Sequence, residues 1–463
     1  MERIKKFEQV PSVVVQLEKN KDDYIPQAVS LGLFHHGYPK LNLLEVGMEI
    51  YPWLEVFKPI AVELFISGGP YNKSFYHNKI AGIIGEIRNC YGDLYCSDDC
   101  LAEIMLRDAS LMIIYMETST VTEHPDELMM KKINAMMDHL GILTLAFMAH
   151  DMVLLDNQIP LVVVKVLMDL RYGEGREGEG QYEKLLNRFI NMVIFGEYRQ
   201  QIVLSRKPMH LLEAIHMVVV FGGEDESGAA PTPTCCKLLC CPRADLESGA
   251  TTHGIIHRLL KSLACKTQGA AKNDYNSFIN SIHSFRSVTE LKAKGIHFRP
   301  GPTSLMDVSF KSNFFYSTLH LREWILTPNT KVLFKNLVAY ELSPGSPANR
   351  EVTSYITFMK SLIDRPEDVK ELREKKIFIN KLGSDQEVFN IYKDINTHGA
   401  DNPMIFHAVK DKIQEHYNSN IKTWMAELIH NYFRSPWTMT AFLAAAALLA
   451  ISAAQLYYAV HPN

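Results

Sequence analysis

Apolar residues recur at helical spacing along most of the chain. Leu101, Ile104 and Met105 follow Ser97-Asp98-Asp99, a hydroxyl residue and two acids suited to an N-cap and the positive end of a helix, so a helix is predicted from about Ser97 to Tyr115. A second helix is expected to open at Pro125-Asp126-Glu127 and to carry Leu128, Met129, Ile133, Met136, Met137 and Leu140 on one face. A methionine stripe of this kind reads as core packing before it reads as a binding groove. Leu161 to Leu170, after Pro160, is apolar but interrupted by Lys165 and too short to span a bilayer, which predicts a buried helix. Ile255, Ile256, Leu259, Leu260 and Leu263 share one face of a further helix predicted over His253 to Cys265.

The period changes once. Met306, Val308 and Phe310 alternate with polar residues, Lys311-Ser312-Asn313 turns the chain, and a second extended run passes through Leu319 and Leu321, as in a hairpin. From there to Trp437 the pattern is helical again. Two stretches punctuate the middle: Gly173 to Gly180, and a low-complexity run from Gly222 to about Gly249 that has the composition of a disordered loop. There is no internal repeat.

The last apolar segment differs in kind. Trp437 to Val460 comprises 24 residues without a charge. At about 1.5 Å rise per residue it spans a hydrocarbon core of about 30 Å. Trp437 stands at one end and Tyr457 with Tyr458 at the other, where amphipathic rings meet the headgroups. Only His461, Pro462 and Asn463 follow, so insertion after synthesis is expected. Lys422 and Arg434 precede the segment and no Lys or Arg follows it, which by the positive-inside rule places the bulk of the chain in the cytosol. Asn72-Lys73-Ser74 formally matches a glycosylation acceptor, a match expected by chance in a chain of 463 residues.

Composition narrows the classes. A formal charge of −4, from 48 basic and 52 acidic residues, supplies no positive field to attract a phosphate backbone, and no nucleic-acid partner is expected. Glu2, Arg3, Lys5 and Lys6 occupy the place where a secretory signal would need an apolar core. The eight cysteines (Cys90, Cys96, Cys100, Cys235, Cys236, Cys240, Cys241 and Cys265) are therefore expected as thiols.

Candidate chemistry is sparse. Gly173-x-Gly175-x-x-Gly178 follows a helix instead of a strand and carries Glu174, Glu177 and Glu179, which would repel a pyrophosphate. Cys236, Cys240, His253 and His257 have zinc-finger spacing, yet the interval CPRADLESGATT offers one leucine toward the miniature core a finger needs. Acylation of the pairs Cys235-Cys236 and Cys240-Cys241 is the competing reading, with an incidental set of reduced thiols as the plain one. His35-His36-Gly37 has no ligand spacing around it, and adjacent side chains diverge. Asp98-Asp99 and Asp364 with Asp368 fall where helix N-termini favour negative charge. Hydrolase elbow, phosphate-loop and zinc-helix motifs are absent from the sequence. No catalytic, cofactor-binding or metal-binding set is assigned, and no cofactor is expected.

Several separated blocks nevertheless form a pattern. They are Tyr24-x-Pro26-x-x-Val29-Ser30-x-Gly32 with His35-His36-Gly37; Asp151 to Pro160 (DMVLLDNQIP); Phe334-x-Asn336-Leu337-x-Ala339-Tyr340-Glu341; and Thr353-Ser354-Tyr355. Leu362-Ile363-Asp364 with Pro366-x-Asp368-Val369, then Leu382-Gly383-Ser384-Asp385, and Tyr432-Phe433-x-Ser435-Pro436-Trp437 complete it. In these blocks the chain resembles the plant Domain of Unknown Function 247 family from about Tyr24 onward, with Leu33 where that family more often has proline. The resemblance implies a mainly helical fold with a C-terminal membrane anchor. Some grass members are linked to pollen–stigma self-incompatibility, which implies a role in recognition or signalling and carries no binding residue across.

The expected fold is thus mainly α: a helical globular region with a small β-hairpin element and one C-terminal transmembrane helix. Residues 1–23 form an N-terminal extension, 24–221 and 253–436 the two parts of the family domain, 222–252 the cysteine-containing loop and 437–460 the membrane helix. Expected partners are a lipid bilayer, through residues 437–460, and a protein of unknown identity; the plasma membrane is one candidate destination. The leading functional expectation is a single-pass, non-enzymatic interaction protein. Its rival is a membrane-tethered enzyme whose site is assembled from separated blocks, including His35 or His36.

Overall fold

The computed structural model describes residues 6–7, 9–17, 21–36, 51–92, 96–120, 125–173, 176–222, 286–313, 317–418 and 436–460. The cysteine-rich loop, the zinc-spaced set Cys236, Cys240, His253 and His257, and the helix expected over His253 to Cys265 lie outside these residues. Among those described the architecture is mainly α with a few short strands.

The first half is built from α1 (Ser12–Leu17), α2 (Tyr51–Ile66), α3 (Lys73–Ala81), α4 (Ile84–Tyr91), α5 (Asp98–Ser119), α6 (Glu127–Asp151), α7 (Leu161–Tyr172), α8 (Arg176–Phe195) and α9 (Leu211–Phe221). Helix α5 is central and packs against α2, α3, α6, α7 and α8. Ser97 caps it, its side chain accepting the Cys100 N–H at 3.3 Å. The helix runs four residues past Tyr115 because Met116 and Glu117 are still buried. In α6 the cap is Asp126, which accepts the Met129 N–H at 2.7 Å, so Pro125 stands one position outside the N-cap instead of inside the first turn. Gly141, at φ 70°, interrupts that helix. The expected methionine stripe is only partly core: Met136 and Leu140 are buried, whereas Met137 is 43% exposed. A buried inward position of α6 is taken instead by Lys132, whose ammonium reaches Glu117 of α5 at 2.5 Å.

The second half holds α10 (Val288–Ala293), α11 (Thr330–Leu342), α12 (Glu351–Leu362), α13 (Pro366–Glu374), α14 (Asp385–Asp394) and α15 (His407–Asn418) around two small sheets. Strands β2 (Ser309–Ser312) and β3 (Ser317–Arg322) pair antiparallel, as the alternation predicts, with Phe310 opposite Leu319, but Lys311 and Ser312, expected in the turn, are still strand and pair with Thr318 and Ser317. Met306 does not join them; it is exposed in a short 3-10 turn. A further strand, β1 (Ile296–Gly301), pairs parallel with the other side of β3 and sets Phe298 opposite the same Leu319. Phe298, Leu319 and Phe310 form one buried row across the sheet. A second parallel pair, β4 (Trp324–Leu326) and β5 (Phe378–Asn380), interrupts the region expected to be helical throughout.

One hydrophobic core runs from Phe7, Val10 and Val14 through both halves to Ile413. The last helix, α16 (Pro436–Val460), is long and apolar enough to cross a membrane, and no residue between Thr440 and Tyr457 is buried.

Candidate functional site

Residues 21–36 contain one short 3-10 turn and otherwise no regular structure, yet much of this stretch is buried. Its backbone groups must be satisfied by side chains, since no strand accompanies it. The Asp151 carboxylate, at the end of α6, accepts the N–H groups of Gln27 at 2.8 Å, Ala28 at 2.6 Å and Val29 at 2.7 Å. His150 Nδ1 lies 2.8 Å from the same carboxylate and donates to it, because a carboxylate only accepts. Asn157 accepts the Leu31 N–H at 2.6 Å and donates to the carbonyls of Val29 and Asp151, both at 3.0 Å. Gln158 donates to Met152 and Leu154 and accepts the Leu212 N–H.

Asn336, from α11, closes the network. Its amide donates to the Asp23 carbonyl at 2.9 Å and accepts the Leu155 N–H at 2.9 Å. Asp156 accepts the Val10 N–H at 2.9 Å, and burial pushes its carboxyl up to about 6. The blocks around Tyr24, Asp151 and Phe334, far apart in the chain, thus meet as one set of side-chain-to-backbone bonds.

The other blocks behave alike. Glu341 accepts the N–H groups of Val352 at 2.7 Å and Thr353 at 2.8 Å, together with the Thr353 hydroxyl at 2.7 Å. It caps α12 from a neighbouring helix, where the local N-cap residue, Arg350, makes no side-chain cap bond. Asp368 caps its own helix by accepting the Arg365 N–H at 3.0 Å, and it holds α10 through the Thr289 N–H at 2.8 Å. Ser384 caps α14, and Tyr355 accepts the Trp324 indole N–H at 3.2 Å.

A surface cleft adjoins this network. Gly32, at φ 70°, donates its N–H to Asp108 at 2.8 Å. A Cβ there would lie 2.5 Å from the Gln158 carbonyl oxygen, so the turn requires glycine twice over. Asp108 is fully buried beside Lys58 Nζ at 2.9 Å, and the same ammonium reaches Glu55 at 2.7 Å and the Ser30 carbonyl at 2.8 Å. Burial alone would lower the Lys58 pKa, but Asp108 and Glu55 outweigh it and raise it, so the group stays an ammonium. His36, Cys100, Glu103 and Arg107 join these residues around a cleft of about 270 Å³. Its carboxylates have basic neighbours: Lys58 for Asp108 and Glu55, Lys73 and Arg107 for Glu103, and His77 for Asp99. Charges already paired in this way hold helices together and leave no evident general base.

The two histidines separate, as adjacent residues must. His36 faces the cleft, whereas His35 is half-buried and its pKa is lowered, chiefly by burial, with Asp151 opposing. Gly173 ends α7 at φ 104°, while Gly178 lies within α8, where a Cβ would come 2.4 Å from the Gly173 carbonyl oxygen. These two glycines allow a close helix-to-helix connection, and Gly175 lies outside the described residues. Asn72 caps α3 by accepting the Phe75 N–H at 3.0 Å. Lys58 and Asp108 carry no motif, and nothing in the local pattern marks them as inward-facing.

Comparison with known proteins agrees with the blocks. The UPF0481 protein At3g47200 of Arabidopsis thaliana is 23% identical over 462 residues, covering 95% of this chain and 82% of that protein. At3g02645, another UPF0481 protein of Arabidopsis thaliana, is 29% identical over 177 residues, which is 37% of this chain and about a third (32%) of that relative's length. No solved structure matches. The family model described as plant protein of unknown function, DUF247, matches residues 8–451, and the chain belongs to that family.

Proposed function

We propose that this protein is a membrane-anchored, non-enzymatic interaction protein, acting in recognition or signalling, with the bulk of the chain in the cytosol. The observation that carries the reading is α16: a chargeless helix of 25 residues with nothing packed over its central eighteen. Exposed apolar surface on that scale is costly in water and favourable in a bilayer. The family blocks support the non-enzymatic part, because Asp151, Asn157, Gln158, Asn336 and Asp368 are engaged in backbone hydrogen bonds. Specificity toward a protein partner then resides in surface loops over a fixed scaffold.

Deleting residues 437–463 tests the anchor: the truncated protein is expected in the soluble fraction, and continued tight membrane association would refute it. Protease protection in vesicles of known orientation tests the topology. Digestion of the bulk from the cytosolic side is expected; its protection would place it in a lumen or outside the cell.

A further inference from the structure

Three ligand-type side chains from three helices, one of the first half and two of the second, meet in the core. His216 comes from α9, Glu341 from the last turn of α11 and Glu351 from the first turn of α12, and all three are buried. Each offers one ligand atom, and these atoms lie within 4.8 Å of one another. His216 Nε2 stands 2.8 Å from Glu341 Oε1, and the imidazole packs on the Tyr340 ring at 5.1 Å between centroids. Glu351 is held by the Asn349 N–H at 2.8 Å.

Charge balance points to what belongs there. Two carboxylates this close in a buried interior repel one another unless a cation lies between them. The nearby guanidiniums are engaged elsewhere: Arg206 pairs with Glu213, and Arg350 is exposed and donates to the Ala400 carbonyl. Two carboxylates and a neutral imidazole neutralise one divalent cation. A nitrogen-and-oxygen ligand set favours a first-row transition ion over calcium or magnesium. Two ligand atoms 2.8 Å apart are spanned at roughly a right angle by an ion with bonds of about 2.1 Å.

We propose that His216, Glu341 and Glu351 bind a divalent transition-metal ion, zinc or manganese, that ties α9, α11 and α12 together. On binding, the ion replaces the hydrogen bond between His216 Nε2 and Glu341 Oε1: the imidazole keeps one proton, on Nδ1, and stays neutral, and any further proton in the cluster leaves to solvent. The Val352 and Thr353 N–H groups and the Thr353 hydroxyl orient the Glu341 carboxylate as outer partners of a metal ligand do. Because all three ligands are buried, the role is structural.

The test uses full-length protein in detergent, stripped with a chelator, reloaded with Zn²⁺ or separately with Mn²⁺, freed of unbound ion and assayed by elemental analysis. Wild type is expected to retain about one equivalent of at least one ion, and H216Q and E351Q to fall below about a tenth. Both variants keep side-chain polarity, and E351Q can still accept the Asn349 N–H. Melts of stripped wild type and variants should coincide closely, with only wild type rising on reloading. Negligible uptake of both ions by wild type overturns the proposal. So does a full equivalent kept by both variants, or lost in C240S instead, which would place the ion on the cysteine and histidine set at residues 236–257. If the variants do not fold, one equivalent in C240S together with a metal-dependent rise in its melting temperature supports the proposal, and its absence overturns it.

Discussion

The Asp151 carboxylate holds the backbone N–H of Ala28 at 2.6 Å, joining residues 123 positions apart at a point with no solvent access. That bond is one of three it makes to consecutive N–H groups, so the oxygen atoms of one side chain do for an irregular segment what a neighbouring strand does in a sheet.

Replacing Asp151 by alanine therefore strands three donors at once, two of them buried and one, Gln27, half-buried. Each unsatisfied buried donor costs about 1–3 kcal/mol, so the two buried ones predict a loss of about 2–6 kcal/mol, toward the extreme of single substitutions. Chemical denaturation of the detergent-solubilised chain checks it. A loss under 1 kcal/mol, as for an ordinary surface change, would mean that this segment does not need the network.

Gly32→Ala meets two obstacles in one place. The φ of 70° disfavours any side chain by about 1–2 kcal/mol, and the Cβ overlaps the Gln158 carbonyl and the Tyr91 hydroxyl. A total near 3 kcal/mol is expected, since overpacking adds about 1–3 kcal/mol. Gly345→Ala is the control: its φ is 99°, but nothing lies within 4 Å of the added Cβ, so it isolates the backbone part.

Much of this architecture was legible in the sequence. The Ser97 cap, the buried helix after Pro160, the hairpin through Phe310 and Leu319 and the apolar terminal helix all follow from local pattern. The parallel strands were not legible, because β1 finds its partner across an intervening turn and strand, and Phe378–Asn380 is three residues between two helices. Inward charges escaped for a related reason. Nothing in the local pattern marks Lys58, Lys132 and Asp108 as inward-facing, yet each is buried against a partner that only the tertiary fold supplies. His216, Glu341 and Glu351 have no recognisable spacing because three helices bring them together.

Asp156 gives a pH-dependent prediction. Its carboxyl rises from 3.8 to about 6 in the folded chain, chiefly through burial, so the folded state binds the proton more tightly than the unfolded state does. Stability from this group is fully present below about pH 4 and is lost as pH rises toward 6. Asp156→Asn keeps an oxygen for the Val10 N–H and removes the ionisation. It should stabilise the chain at pH 7 by about 1–3 kcal/mol, with the gain vanishing near pH 4. A gain independent of pH would assign the effect to packing instead.

The cysteines of the first half should differ sharply toward alkylation. Burial pushes the Cys90 thiol up to about 12, so it has almost no thiolate at pH 8, and its sulfur is shielded as well. Cys100 is exposed. Peptide mapping after brief iodoacetamide treatment of native protein should find Cys100 modified and Cys90 intact, with Cys90 reacting only after denaturation. Early modification of Cys90 would show that α4 opens locally.

Leu448 and Leu449 lie at the middle of the exposed apolar window, and both are more than half exposed. A lysine or arginine at the centre of a spanning helix costs about 2.5–3.5 kcal/mol on insertion scales, so the double substitution L448R/L449R opposes insertion by about 5–7 kcal/mol. On the surface of a soluble protein the same two changes would be nearly neutral and would improve solubility. Flotation of wild type and variant with liposomes separates the cases. Loss of flotation with the rest of the chain folded, judged by an unchanged thermal melt, is the outcome an anchor requires. Equal flotation would move membrane attachment elsewhere in the chain, with the acylation candidates Cys235, Cys236, Cys240 and Cys241 the next to substitute.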